Sequence, residues 1–159
     1  MIELGQPAPD FALESDTGDT IRLSDLRGGP VVVYFYPKDE TPGCTTQACD
    51  IRDSWGEFEH AGASVLGISP DSAEAHAGFR AHHKLPFPLL VDSDHAVAEA
   101  YGAWREKTNY GKTYMGIGRS SFLVDPEGRI AKTWANVKAD GHADEVKAAL
   151  ESAVAGHPA

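Results

Sequence analysis

The sequence predicts an α/β fold built on a mainly parallel sheet with an antiparallel hairpin at its later end. Three observations carry that reading. PVVVYFYP (30–37), ASVLGIS (63–69) and FPLLVD (87–92) are short β-branched and aromatic runs without alternation, the pattern of strands buried on both faces. The stretches between and after them read as helices, so strand and helix alternate. SSFLVD and RIAKTW flank Pro126-Glu127-Gly128, a turn signal that joins two antiparallel strands.

Taken in order, FALES and TIRLSDL around Asp16-Thr17-Gly18-Asp19 form a small hairpin ahead of the first buried strand. Helices are expected from Thr41 to about His60, from Asp71 to about Lys84 and from Asp94 to about Tyr101. The Pro126 hairpin follows, and GHADEVKAALESAVAG closes the chain as an amphipathic helix with Val146, Ala149, Leu150 and Ala153 on one face. The last residues, GHPA, are expected to fray. This order is that of a thioredoxin-like fold with an N-terminal β-hairpin extension. With no repeat, linker or low-complexity segment, residues 1–159 read as a single domain, a length that suffices for one core.

Composition narrows the function. A net charge of -10 argues against nucleic acid or an anionic membrane surface, which demand clustered Lys and Arg. The opening MIELGQPAPDFALES has no apolar leader core, and no segment approaches the ~20 apolar residues of a membrane span. A cytoplasmic location is therefore expected. Two cysteines are too few for a secreted disulfide scaffold, and in a reducing compartment a close pair points to catalysis or metal binding.

Both cysteines, Cys44 and Cys49, lie in YPKDETPGCTTQACDIRD, directly after the strand that ends near Tyr36. In open α/β sheets ligands sit beyond the carboxyl ends of the strands, so this is where a site belongs. Thr41-Pro42 is a strong helix start, with Thr favoured at the cap and Pro at the first helical position. Cys44 then falls at the third helical position, where free N–H groups and the positive end of the helix dipole favour an anionic sulfur. Ala48, Ile51, Trp55 and Phe58 mark the buried stripe. Cys44 is in phase with it, pointing into a pocket at the sheet edge, and Cys49 is off it.

Five residues of α-helix separate the two Cα atoms by roughly 8 to 9 Å. A disulfide requires about 7 Å or less. Bond formation therefore requires the first turns to unwind, which makes the pair a switch between a wound, reduced state and an unwound, oxidised one. The chemistry that uses a sheltered thiolate and a late-arriving second thiol is oxidation to sulfenic acid followed by condensation to a disulfide. A simple disulfide reductase prefers C-x-x-C, so the spacing favours a peroxide reaction.

Pro37, Thr41-Pro42-Gly43-Cys44-Thr45, Gln47-Ala48-Cys49 and Arg52-Asp53 resemble the active-site signature of the peroxiredoxins, closest to the bacterioferritin comigratory protein or peroxiredoxin Q type. Gly111-Lys112-Thr113-Tyr114, Gly116-Ile117, Arg119 and Ser121-Phe122-Leu123-Val124-Asp125 resemble the family's later segment. GASVLGISPD, FPLLVD and YGAWREK match in order, so the resemblance covers nearly the whole chain. It implies a peroxidase acting on hydrogen peroxide and organic hydroperoxides, with Cys44 as peroxidatic and Cys49 as resolving cysteine. It further implies that Thr41 bonds the thiolate and the peroxide, Pro37 shields the site from water and Arg119 approaches from the later strand. Recycling by thioredoxin or a similar dithiol, a monomer, and no metal or organic cofactor are implied as well.

Plainer readings stand beside these. Cys44 can be read as an inert core cysteine and Cys49 as a bystander, in which case an outside thiol resolves the sulfenic acid. Arg119 can be a strand-edge residue, Thr41 only a helix cap whose hydroxyl accepts from a backbone N–H, and Pro37 only a strand terminator. Tyr36, Trp55 and Trp104 read as packing residues. Asp39 and Glu40 oppose thiolate formation unless they face solvent or pair with Lys38. The seven histidines are scattered apart from His82-His83 and lack ligand spacing, so most are expected to be solvated; Cys-x4-Cys is not a common zinc half-site. A thioredoxin-like disulfide reductase and a redox-responsive binding protein are the rival functions.

Overall fold

A computed structural model describes residues 2–155, with side chains through Ser152. Its nine strands are β1 (Ala12–Glu14), β2 (Thr20–Arg22), β3 (Val31–Phe35), β4 (Ser64–Ser69), β5 (Leu89–Val91), β6 (Trp104–Asn109), β7 (Lys112–Ile117), β8 (Ser120–Val124) and β9 (Ile130–Trp134). The helices are α1 (Pro42–Asp53), α2 (Trp55–His60), α3 (Ala73–His83), α4 (Ala96–Ala100) and α5 (His142–Ala155), with a 3-10 turn at Leu23–Leu26. The central sheet has the order β5-β4-β3-β8-β9. Its β3–β4 and β4–β5 ladders are parallel; β3–β8 and β8–β9 are antiparallel. This is the expected thioredoxin-like arrangement, with β1–β2 as the N-terminal hairpin extension.

Strand β3 is the axis of the molecule, and every one of its residues is buried. Alternation across the pleat sends Val31, Val33 and Phe35 to one face with the N-terminal hairpin and α4, and Val32 and Tyr34 to the other with α1, α2, α3 and α5. Two cores result, one on each side of the sheet. Along α5, Ala143, Val146 and Leu150 face the second core with Ala149 partly buried against it. Ala153 and the GHPA tail lie outside the described side chains.

Three elements depart from expectation. The helix from Thr41 to His60 is broken at Ser54, whose N–H bonds the Ile51 carbonyl at 3.1 Å in a tightened turn. Serine competes with the helical ladder through local bonding, and the break lets α2 bury Phe58 with Trp55 stacked on it at 6.2 Å. The stretches around Trp104 and Lys112 pair as a hairpin that the sequence pattern did not reveal. Its turn, Tyr110-Gly111, places both residues at positive φ (51° and 74°), and its strands are largely exposed, so no hydrophobic run announces them. Helix α4 starts at His95 in a left-handed conformation, with Asp92 accepting from the Val97 and Ala98 N–H groups.

Among the described residues His76 and His142 are buried and tie the loops to this frame, while His60 and His82 are exposed as expected. His76 on α3 is fully buried, with Asp39 Oδ2 at 2.6 Å from Nδ1 and the Leu90 carbonyl at 2.8 Å from Nε2. Burial works against a charged ring, but the Asp39 hydrogen bond and charge, with the Leu90 carbonyl, outweigh it and raise the His76 pKa above 6.5. Tyr36, expected only to pack, donates to Asp39 Oδ1 at 2.6 Å. The Asp39 N–H donates to Asp71, which also takes the Ser69 hydroxyl. Asp39 is thus neither solvated nor paired with Lys38, because a buried histidine is placed to meet its charge.

His142, at the start of α5, is held by Ser121 Oγ on β8 at 2.9 Å. Burial lowers its pKa, partly offset by Glu145. The two rings act on stability with opposite signs. His76 binds its proton more tightly when folded, so its contribution is complete below about 6.5 and is lost as pH rises through its higher folded value. His142 binds its proton less tightly when folded, so stability falls as pH drops below about 6.5 toward its lower folded value. The urea midpoint measured from pH 5 to 9 should lose its alkaline-side decline over that window in His76→Gln and its acid-side decline in His142→Gln; unchanged profiles would remove both rings from the account.

Candidate active site

The chain leaves β3 at the carboxyl edge of the sheet, turns through residues 37–41 and enters α1. Pro37 stands at the bend that opens this turn, half-buried. Thr41 is extended (φ -75°, ψ 151°) as the N-cap, and Pro42 takes the first helical position. Its hydroxyl, however, does not cap the helix. It turns back and donates to the Lys38 carbonyl at 2.8 Å, closing the loop rather than covering the helical N–H groups. The first helical bond comes from Thr45 N–H to the Thr41 carbonyl at 2.9 Å.

Cys44 lies at the third position of α1 and is 2 % exposed, packed in the second core with Tyr34, Ala48 and Ile51 among its members. The sulfur sits under a guanidinium. Arg119, in the connection from β7 to β8, donates through Nη2 to Cys44 Sγ at 3.2 Å and through Nη1 to Gln47 Oε1 at 2.7 Å. The Arg119 carbonyl takes the Val137 N–H at 2.9 Å, which holds the backbone of this connection. The fold therefore brings together Cys44, Arg119 and the start of α1 from segments 75 residues apart.

Cys49 follows five residues later, half-buried, and both thiols are free. Burial raises the Cys49 pKa above 9.0; Arg52 opposes the rise, and Asp53, Asp50 and Glu40 reinforce it. The resolving candidate is therefore held as a neutral thiol at neutral pH while α1 is wound.

Three further residues join the site without having been assigned a role from sequence. Gln47 is 1 % exposed and orients Arg119, and its Nε2 has no partner among the described residues. Its position one turn after Cys44 was the available signal. Arg105 and Lys107 arrive on the unforeseen β6–β7 hairpin. Burial lowers the Lys107 pKa, and the Arg119 and Arg105 cations lower it further, which records three cations close together in a strongly acidic chain. Burial pushes the Tyr34 phenol well above its ordinary range, with the Cys44 and Asp39 charges adding, so it stays protonated beneath the site.

Among the described residues, two groups offer metal-ligating atoms within 4.8 Å of one another: Asp39, Asp71 and His76, and Glu40, His82 and His83. The first is buried and occupied by its own hydrogen bonds. The second sets Glu40 beside His82 and His83, a neighbour that spacing along the chain does not announce.

Known proteins resemble this chain over most of its length. Residues 4–133 match the AhpC/TSA family. Peroxiredoxin Bcp of Bacillus subtilis (strain 168) is 53% identical over 150 residues, covering 94% of this chain and 96% of the relative. The chain belongs to the peroxiredoxins. Peroxiredoxin Bcp of Escherichia coli (strain K12) is 46% identical over 145 residues, 91% of this chain and 93% of that one. Among solved structures, the Xanthomonas campestris bacterioferritin comigratory protein, studied for alkyl peroxide reduction activity, superposes with a TM-score of 0.89 at 41% identity, covering 95% and 99% of the two chains. A cysteine-to-serine mutant of Xylella fastidiosa PrxQ gives 0.91 at 36% identity, covering 97% and 98%. Peroxiredoxins are peroxidases, and this peroxiredoxin has a peroxide as its substrate.

Gly43 shows how closely the arginine is fitted in this peroxiredoxin. A Cβ added there would stand 3.1 Å from Arg119 Nη2, so alanine displaces the guanidinium by a few tenths of an ångström. Alanine also favours the helix over glycine by about 0.5–1 kcal/mol. Gly43→Ala should therefore reduce peroxide several-fold more slowly while unfolding at an equal or higher temperature; an unchanged rate in stopped-flow would dismiss the contact.

Proposed function

We propose that this peroxiredoxin reduces hydrogen peroxide and organic hydroperoxides through a Cys44 sulfenic acid and a Cys44–Cys49 disulfide, and that thioredoxin or a similar dithiol recycles it. The observation that carries the assignment is the 3.2 Å bond from Arg119 to the Cys44 sulfur at the start of α1. A guanidinium donating to a sulfur in the first turn of a helix suits that sulfur to act as a nucleophile. The alkyl peroxide activity of the Xanthomonas relative supports the organic substrates.

In the first step the Cys44 sulfur attacks one peroxide oxygen in line. The S–O bond forms as the O–O bond breaks, and the departing oxygen takes a proton to leave as water or alcohol. Arg119 stabilises the negative charge as it passes from sulfur to that oxygen. Because the Thr41 hydroxyl gives its proton to the Lys38 carbonyl, it meets the peroxide with lone pairs and accepts the peroxide O–H. Pro37 shields the entrance from bulk water.

In the second step the sulfenic acid and the Cys49 thiol condense, forming the S–S bond and releasing water. Helix geometry sets the Cα atoms roughly 8 to 9 Å apart while α1 is wound, so its first turns unwind before closure. A dithiol then reduces the disulfide by exchange and is itself oxidised. We assign this cycle to a single-domain monomer in the cytoplasm; among the described residues no helix is long and apolar enough to cross a membrane.

Hydrogen peroxide consumption in a thioredoxin recycling system is the direct test. Cys44→Ser should abolish turnover, and Cys49→Ser should abolish it in this system while retaining a single oxidation of Cys44. Activity surviving in Cys44→Ser would overturn the reading, and undiminished turnover in Cys49→Ser would assign resolution to an outside thiol. Hydrogen exchange should show residues 41–53 losing protection in the disulfide form; equal protection in both forms would exclude the unwinding step.

A further inference from the structure

Glu40 is the last residue before the Thr41 cap, and its backbone adopts φ 65°, a left-handed conformation uncommon outside glycine. From there its carboxylate meets the C-terminal turn of α3. His82 Nδ1 lies 2.8 Å from Oε2 and His83 Nε2 lies 2.7 Å from Oε1. One carboxylate from the active-site loop thus faces two imidazoles some forty residues away in sequence. The site is reachable from solvent, since the Glu40 and His82 side chains are 47% and 64% exposed, while His83 is 19% exposed and anchored edge-on against Phe79.

We propose that Glu40, His82 and His83 bind one divalent ion of the zinc class, and that the bound ion pins the entrance of α1 and delays disulfide closure. Two imidazoles and a carboxylate form a donor set suited to Zn²⁺, with water completing a tetrahedron. All three ligand atoms already lie within 4.8 Å of one another. Tetrahedral zinc with bonds near 2.0–2.2 Å places its ligand atoms about 3.3 Å apart, so the two contacts, which reach different oxygens of the carboxylate, open by about half an ångström as both imidazoles turn onto one ion. The nearest cation on the facing helix, Arg52, is already engaged by Asp53 at 2.9 Å and by the His83 carbonyl at 2.7 Å.

The placement gives the ion leverage. Arg52 joins α1 to the end of α3 on the far side of Cys49, and a metal at Glu40 would join the near side. Cys49 then lies in a segment tied at both ends, and the unwinding that closure demands must break the metal bond as well. This second clause rests on the peroxidase cycle proposed above, whereas the binding site does not. A slower closure leaves the sulfenic acid exposed to a second peroxide for longer.

The test separates the two. Zinc titrated calorimetrically into the Cys44→Ser/Cys49→Ser protein should bind at one equivalent, with the thiols removed as competing ligands. Adding His82→Gln/His83→Gln, or separately Glu40→Gln, should weaken that binding at least about tenfold. With native thiols, quenched-flow thiol counting after one equivalent of peroxide should show closure slowed several-fold by zinc and restored by a chelator. The His82→Gln/His83→Gln protein should close at a rate that zinc does not change. Absence of a binding equivalent, or binding unaffected by these substitutions, overturns the site; closure equally fast with and without bound zinc overturns the clamp. Failure of the peroxidase cycle itself would appear separately, as absent metal-free turnover.

Discussion

A guanidinium held over the first turn of one helix is the interaction on which the site depends. Arg119 reaches Cys44 Sγ and Gln47 Oε1 at once, so the cation is oriented by a neutral carbonyl while its charge is directed at sulfur. A buried sulfur anion without such a partner would be expensive, and a half-buried arginine without acceptors costly too. Each makes the other tolerable. Gly43 keeps the space between them clear, and the Val137 bond to the Arg119 carbonyl holds the donor from behind.

The scaffold places this pair by filling both faces of β3. Because the strand is saturated with apolar contacts, its carboxyl end cannot shift, and the loop after it must turn at once into α1. Asp39 restrains that turn through Tyr36, His76 and Asp71, joining the loop to β3, α3 and the end of β4. The network leaves Asp39 balanced by a histidine rather than as a free negative charge on the active-site loop.

The same helix must be wound to activate Cys44 and unwound to join it to Cys49, and its packing suits that conflict. The residues that α1 buries in its first two turns are small or polar: Cys44, Gln47 and Ala48. Little apolar area is therefore lost when those turns open. The larger anchors, Trp55 and Phe58, belong to α2 beyond the break at Ser54 and can stay docked. Raising the Cys49 pKa within the wound helix keeps that thiol neutral until the segment opens.

By itself the sequence determined the thioredoxin-like order of elements, the buried strands and the position of Cys44 at a helix start, because these follow from local pattern: apolar runs, the Thr41-Pro42 signal and a count along one helix. Resemblance to two separate family segments, one around Cys44 and one around Arg119, singled out Pro37, Thr41, Cys44, Cys49 and Arg119 as candidates, and the fold brings Cys44 and Arg119 together. The direction of the Thr41 hydroxyl, the Gln47 bond that aims Arg119, the burial of Asp39 against His76, the β6–β7 hairpin with its cations and the meeting of Glu40 with His82 and His83 were decided only in the tertiary structure. Each depends on residues some three to more than seventy positions apart being brought within hydrogen-bonding or Coulombic reach, and polar side chains carry no periodicity that announces their partners.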